Sequence, residues 1–167
     1  MKISDFKFHV EKGMMDHIFY MKEALKEAEK AGKKDEVPVG CVIVKDGVII
    51  ARGHNLIRTK KDPSAHAEIA AIRKACKKLK NERLNGANLY VNIEPCPMCA
   101  GAILLARIKT LVYGADDLKT GACGSVFGVI NDKRNNHQVE VIKGVFKKES
   151  GEIVSNFFKN KRIENRK

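Results

Sequence analysis

The stretch Gly40-Cys41-Val42-Ile43-Val44-Lys45-Asp46-Gly47-Val48-Ile49-Ile50-Ala51-Arg52 decides the fold. Two runs rich in β-branched residues, Gly40–Lys45 and Val48–Arg52, flank Asp46-Gly47, a dipeptide that tolerates the positive φ angles of a two-residue hairpin turn. Upstream, Met14–Ala31 reads as an amphipathic helix, with Ile18, Met21, Leu25 and Ala28 at steps of three and four and Gly32 ending it. Downstream, a polar loop over Gly53–Ser64 leads to a second helix, started by Asp62-Pro63 or by Ser64, whose buried stripe is Ile69, Ile72, Cys76 and Leu79. A strand follows at Asn88–Ile93, a helix from Pro97 to about Ala106, and a strand at Thr110–Tyr113. Val139–Val145 offers a fifth strand, and Ile153 onward a basic helix. Strands alternating with helices after a hairpin predict an α/β fold, a three-layer α/β/α sandwich around a mixed five-stranded sheet. The expected organisation is one domain over residues 14–167, preceded by an extension over residues 1–13.

A chain of 167 residues, 44% apolar and 31% charged, suits one hydrophobic core and is unlike a disordered chain. No run approaches the roughly 20 apolar residues of a membrane helix. Met1 to Gly13 mixes Lys with Asp and Glu where a secretory signal would be apolar. A soluble, cytoplasmic protein with no membrane partner is expected. The cysteines are Cys41, Cys76, Cys96, Cys99 and Cys123, an odd number that does not suggest a disulfide framework. The close pair Cys96-x-x-Cys99 points to metal or redox chemistry. The net charge of +12 is unevenly placed, because residues 1–36 hold eight Lys/Arg against eight Asp/Glu. Arg58, Lys60 and Lys61 share a loop; Arg73, Lys74, Lys77, Lys78, Lys80 and Arg83 crowd one helix; five of the last nine residues are basic. Such a field attracts polyanions. A Lys-rich composition also coats solvated faces, so charge alone leaves nucleic-acid binding open.

His66-Ala67-Glu68 stands at the start of the second helix and Pro95-Cys96-Pro97-Met98-Cys99 at the start of the third. Both lie where strand-side loops feed helix N-termini, so both can face one crevice. Two thiolates and an imidazole suit Zn²⁺, and C-x-x-C on a first helical turn brings both sulfurs to one metal. The positive end of the helix dipole favours thiolates there. Three protein ligands and a water make a catalytic zinc site, whereas structural sites close with four. Two thiolates already neutralise the ion, so its water is acidified less than at a zinc held by histidines. A nearby base is then useful, and Glu68 can serve. Residues two apart on a helix do not share a face, so Glu68 reaches past the metal to its water instead of joining His66 as a ligand. Taken alone, C-x-x-C also reads as a redox pair or half of a structural zinc knuckle, and a lone His as a capping or core residue. Together the two motifs name one chemistry.

H-A-E followed by P-C-x-x-C resembles the zinc cytidine/adenosine deaminase superfamily, and the surrounding sequence resembles its tRNA adenosine deaminases. The resemblance rests on Glu36-Val37-Pro38-Val39-Gly40, on Asn55 eleven residues ahead of His66, and on Asp62-Pro63-Ser64-Ala65 running into the first motif and on to Ile69. Glu94-Pro95-Cys96 with Met98-Cys99-Ala100-Gly101-Ala102, then Lys119-Thr120-Gly121-Ala122, Asn136-His137 and Phe157-Phe158 before basic residues complete it, from about Met14 to about Arg162. It implies a cytidine deaminase-like fold, one zinc ion per subunit on His66, Cys96 and Cys99, and hydrolysis of adenosine to inosine at the wobble position of the tRNA anticodon. Glu68 would take the proton from water, deliver it to the ring nitrogen and later protonate the departing amine. Asn55 would hydrogen-bond the flipped-out adenine or its ribose, and Val39 would wall the pocket. Asp117 and Lys119 would contact the anticodon-loop backbone, while Phe158, Lys161 and Arg162 would brace neighbouring nucleotides. A homodimer is also implied, for which Ala100-Gly101-Ala102 offers a close-packing helix face. Cys41, Cys76 and Cys123 match no ligand position and read as packing or loop residues.

Asn55 could instead shape a turn, Asp117 could be a solvated loop residue, and Phe157 and Phe158 a core pair. Two other functions compete. A deaminase of a free base or nucleoside, of guanine or cytidine type, would gain little from so many excess positive charges. A non-catalytic, zinc-stabilised RNA-binding protein would have no use for Glu68. An anticodon loop, single-stranded with bases that splay out cheaply, suits a deep pocket beside a basic surface.

Overall fold

The computed structural model describes residues 3–165, with side chains from residue 13 onward, so Met1, Lys2 and the expected basic residues Arg166 and Lys167 lie outside it. The elements run α1 (Ile3–Gly32), β1 (Gly40–Lys45), β2 (Val48–His54), α2 (Ile57–Lys60), α3 (Ala67–Leu79), β3 (Asn88–Ile93), α4 (Pro97–Leu105), β4 (Thr110–Ala115), β5 (Glu140–Lys143) and α5 (Lys147–Glu164). The hairpin forms as its turn demands. Asp46 and Gly47 take φ of 51° and 75°, the two left-handed positions of a type I′ turn. β1 pairs antiparallel with β2 and with β3, and β3, β4 and β5 run parallel, giving the order β2-β1-β3-β4-β5. The mixed five-stranded sheet is therefore present.

Alternation along the strands builds two cores. Ile43, Leu89, Leu111 and Tyr113 face α3 and α4, while Val42, Val44, Tyr90 and Val112 face α1 and the start of α5. Helices thus cover both faces, in three layers. The buried residues of α3 are Ala67, Glu68, Ala71, Ile72 and Ala75; the expected stripe is corrected, with Ile69 and Cys76 half-buried and Leu79 exposed. The cause is close approach. A Cβ on Gly53 would lie 2.3 Å from the Ala67 carbonyl oxygen, so only a small-residue face fits against the sheet.

Other boundaries differ for local reasons. α3 starts at Ala67, not near Pro63, because Asp62 Oδ1 accepts from the Ser64 amide at 2.8 Å and its hydroxyl at 2.7 Å, closing a turn that competes with a helical start. The polar loop contains the short helix α2, whose Arg58 and Thr59 amides donate to buried Glu36 at 3.1 and 2.6 Å. α1 begins at Ile3, so the boundary expected after residue 13 falls within a helix, and α5 begins at Lys147, ahead of Ile153. α1 lies directly on β1: a Cβ on Gly40 would sit 2.2 Å from the Ala24 carbonyl oxygen and from the Ala28 amide nitrogen. Backbone cannot yield as a side-chain tip can. Gly40→Ala is expected to destabilise the protein by about 3 kcal/mol, read as an earlier urea midpoint with unchanged slope.

Candidate active site

Because β1 is antiparallel to β3, the N-terminal end of β1 and the C-terminal ends of β2, β3 and β4 share one edge of the sheet. α3 and α4 present their N-termini to that edge. His66 is the N-cap of α3 and Cys96 the N-cap of α4; both have extended backbones, and neither side chain caps its own helix, so both are available to a ligand. Cys99 follows in the first turn of α4. His66 Nδ1 lies 3.7 Å from Cys96 Sγ and 3.6 Å from Cys99 Sγ, and the three donor atoms fall within 4.8 Å of one another. A tetrahedral ion with bonds of about 2.3 Å to sulfur and about 2.0 Å to nitrogen separates those atoms by about 3.6 Å. The donor set fits such a metal. The two sulfurs also polarise each other: the hydrogen bond from Cys99, helped by His66, pulls the Cys96 thiol down, and the Cys96 sulfur pushes the Cys99 thiol up.

Glu68, in the first turn of α3, is 3% exposed, and its Oε2 has no hydrogen-bond partner among the described residues. Burial pushes this carboxyl up. A buried oxygen left unpaired is unfavourable by about 1–3 kcal/mol and is retained where a function uses it. It borders a pocket of about 180 Å³ that also includes Val39, Asn55, His66, Cys96 and Asp117. The Asn55 amide nitrogen donates to the Val39 carbonyl at 3.0 Å, which ties two of these walls together.

The pocket opens into a groove of about 850 Å³ lined by Lys119, Phe158, Lys161 and Arg162, the two sharing Val37, Val39, Ile93, Asp117 and Thr120. All the residues expected at the site therefore gather at one edge, except that Cys99 lies buried beneath the pocket and does not line it. Two of them have protein partners. Asp117 accepts from the Lys119 and Thr120 amides at 2.9 and 3.2 Å, and Lys161 pairs with Asp35 and, at 2.8 Å, with Glu164. Phe157 and Phe158 meet edge to face at 5.5 Å, but Phe158 is 45% exposed and borders the groove.

Residues 15–162 match the family model of the MafB19-like deaminases. The tRNA-specific adenosine deaminase of Bacillus subtilis is 52% identical over 86% of this chain and 89% of its own. That of Agrobacterium fabrum is 48% identical over 90% and 99%. The chain belongs to the tRNA-specific adenosine deaminase family. A solved structure from a study of A-to-I editing by tRNA:A34 deaminases at the wobble position of transfer RNA superposes with a TM-score of 0.78. It is 50% identical over 81% of this chain and 98% of that one.

In this deaminase the residue that sequence reasoning overlooked is Glu94. It is 2% exposed and borders the pocket. Its Oε2 accepts from the Asp117 amide at 3.0 Å, and its Oε1 from the Cys123 and Ser125 amides at 2.8 and 3.2 Å. One carboxylate thus anchors the loop that follows β4 to the strand end that carries Cys96. Its only sequence signal was adjacency to Pro95-Cys96. Cys41 and Cys123 are buried packing residues, with burial raising both thiols, in keeping with the reading given them. Glu94→Ala orphans three amides and is expected to lower stability by at least about 3 kcal/mol, measured by urea unfolding.

Proposed function

We propose that this deaminase converts adenosine to inosine at the wobble position of the tRNA anticodon, using one zinc ion per subunit held by His66, Cys96 and Cys99. The observation that carries the reading is the unpartnered Glu68 carboxylate oxygen, buried beside a His-Cys-Cys donor set of tetrahedral spacing. Zinc bound there supplies electrophilic activation of a water molecule. Glu68 takes a proton from that water, and its raised pKa lets the carboxyl hold the proton and pass it to the purine ring nitrogen. The hydroxide so formed adds to the amino-bearing ring carbon, and the carboxylate then takes the proton of the added hydroxyl and gives it to the amine as the C–N bond breaks, so that adenosine and water become inosine and ammonia. Asn55 offers its side-chain amide to the base or ribose inside the pocket, and Val39 packs against the ring. Asp117 and Lys119 shape and charge the mouth towards the loop backbone, while Phe158, Lys161 and Arg162 line the groove for flanking nucleotides.

A groove much larger than the pocket favours a polymeric substrate over a free base or nucleoside. Placement of Glu68 beside the donor set argues against a merely zinc-stabilised RNA-binding protein. We further propose a homodimer through α4, where Leu105 is 80% exposed and a Cβ on Gly101 would meet open space. A cytoplasmic location fits a tRNA substrate, and no helix of the described residues is long and apolar enough to cross a membrane. Residues 14–167 form the proposed deaminase domain and residues 1–13 an extension to it, in line with a family match that begins at residue 15.

Incubation of the zinc-loaded protein with a tRNA whose anticodon begins with A, followed by reverse-transcription sequencing, is expected to read that position as G. A position still read as A would overturn the proposal. Glu68→Ala is expected to lower inosine formation by at least about 100-fold with zinc content unchanged by elemental analysis. Chelation is expected to abolish activity and added zinc to restore it.

A further inference from the structure

Behind the catalytic pocket lies a second cleft, of about 150 Å³, whose lining includes His54, Leu56, Lys60, Ile69, Arg73 and Lys74. The two cavities share a wall. Asn55, Ile57 and His66 turn to the catalytic side, whereas His54, Leu56 and Ala65 turn to the cleft. Tertiary structure brings together here the basic residues of α2 and α3, which lie more than a dozen positions apart in the chain. Among the described residues, Lys60, Arg73 and Lys74 take part in no ion pair, whereas Arg52 and Lys161 are committed to Glu23 and Asp35. The Lys74 ammonium donates to the Arg52 carbonyl at 2.9 Å, which fixes it at the rim. Asp62, close enough to feel both Arg73 and Lys60, is occupied by Ser64.

A line of cations leads from the groove towards the cleft. Lys161 and Arg58 both pair with Asp35, which links the C-terminal helix to α2, and Lys60 lies on that same short helix. Cations therefore run from Lys161 through Arg58 to Lys60 and on to Arg73. On α3, Ala67 lines the catalytic pocket and Arg73 the cleft, a rise of about 9 Å along the helix axis, within reach of a single strand.

We propose that this cleft holds a backbone phosphate of the RNA strand that flanks the reactive nucleotide, a proposal that rests on the tRNA reading above. A small cavity lined by three cations that take part in no ion pair, together with apolar side chains, suits a phosphodiester oxygen pair more than a free, fully hydrated dianion. The test is binding of full-length tRNA by fluorescence anisotropy across a salt series. Lys60→Gln/Arg73→Gln is expected to weaken binding at least about tenfold and to flatten the salt slope by about 0.7, the value for one phosphate of a single strand. Lys109→Gln/Lys148→Gln removes the same net charge elsewhere and is expected to leave the salt slope near that of the unmodified enzyme. Lys60→Arg/Arg73→Lys, which keeps both charges, is expected to retain binding and so to separate charge from folding. If the cleft variant behaves like the distant pair, the assignment is wrong. It is equally wrong if the cleft variant loses a response to inorganic phosphate while tRNA binding stays intact. Inosine formation by the unmodified enzyme, measured alongside, isolates the two readings. Its absence sinks the substrate, whereas its presence with unchanged binding by the cleft variant sinks only this site.

Discussion

Two helix N-termini aimed at one point are the constraint on which this structure depends. α3 and α4 both begin at the same sheet edge, and each contributes its N-cap side chain, His66 and Cys96, to one spot. An N-cap is where the backbone leaves the helix with free amides and a positive dipole behind it, which favours thiolates over thiols. The sheet makes the convergence possible, because α4 follows β3 directly while α3 follows β2, two strands away in the sheet order. Small faces on the helices then set the distance. Ala67, Ala71 and Ala75 let α3 settle against Gly53, and Gly40 lets α1 settle against β1 on the other side. A larger side chain at Gly53 would displace the helix that carries His66, and one at Gly40 would displace α1 on the opposite face.

Buried carboxylates hold the rest of the site in place, and they divide the work. Glu36 gathers the first amides of α2, and Glu94 gathers three amides around the loop after β4. Both are satisfied by backbone donors, so their positions are fixed. Asn92, also buried, bonds both the Gly40 amide, at 2.8 Å, and the Pro38 carbonyl, at 3.0 Å, steadying Val39 at the pocket wall. Glu68 differs from all three in having an oxygen with nothing to bind. The contrast separates residues that build the pocket from the one that can exchange a proton inside it.

Charge is distributed by the same logic. The long first helix balances itself through pairs such as Lys26 with Glu23 and Lys30 with Glu27. The elements around the pocket mouth carry the excess instead, with Asp35 the carboxylate that gathers Arg58 and Lys161. An RNA backbone approaching the mouth would meet cations already held near each other, which lowers the ordering entropy of binding.

Much of this protein was legible in its sequence because the signals are local. Asp46-Gly47 specifies a turn through the φ angles its residues tolerate, the strands follow from alternation, and His66, Glu68, Cys96 and Cys99 declare their chemistry through residue type and spacing. What the sequence could not reveal depends on contacts between distant segments. The buried face of α3 is made of alanines, which periodic hydrophobicity undervalues and which only the closeness of Gly53 explains. Asp62 stops a helix from starting at Pro63 by bonding Ser64, a competition decided by geometry. Glu94 looked like a motif neighbour until the loop after β4 folded onto it. Lys60 and Arg73, merely basic in the chain, line one cleft only in the folded molecule. Sequence by itself determined the turn chemistry, the succession of strands along the chain and the His-Cys-Cys set, because those are properties of single residues and short spacings. Only the tertiary structure decided which carboxylate is left unpaired and which cations share a cavity, because burial and proximity belong to the packed molecule.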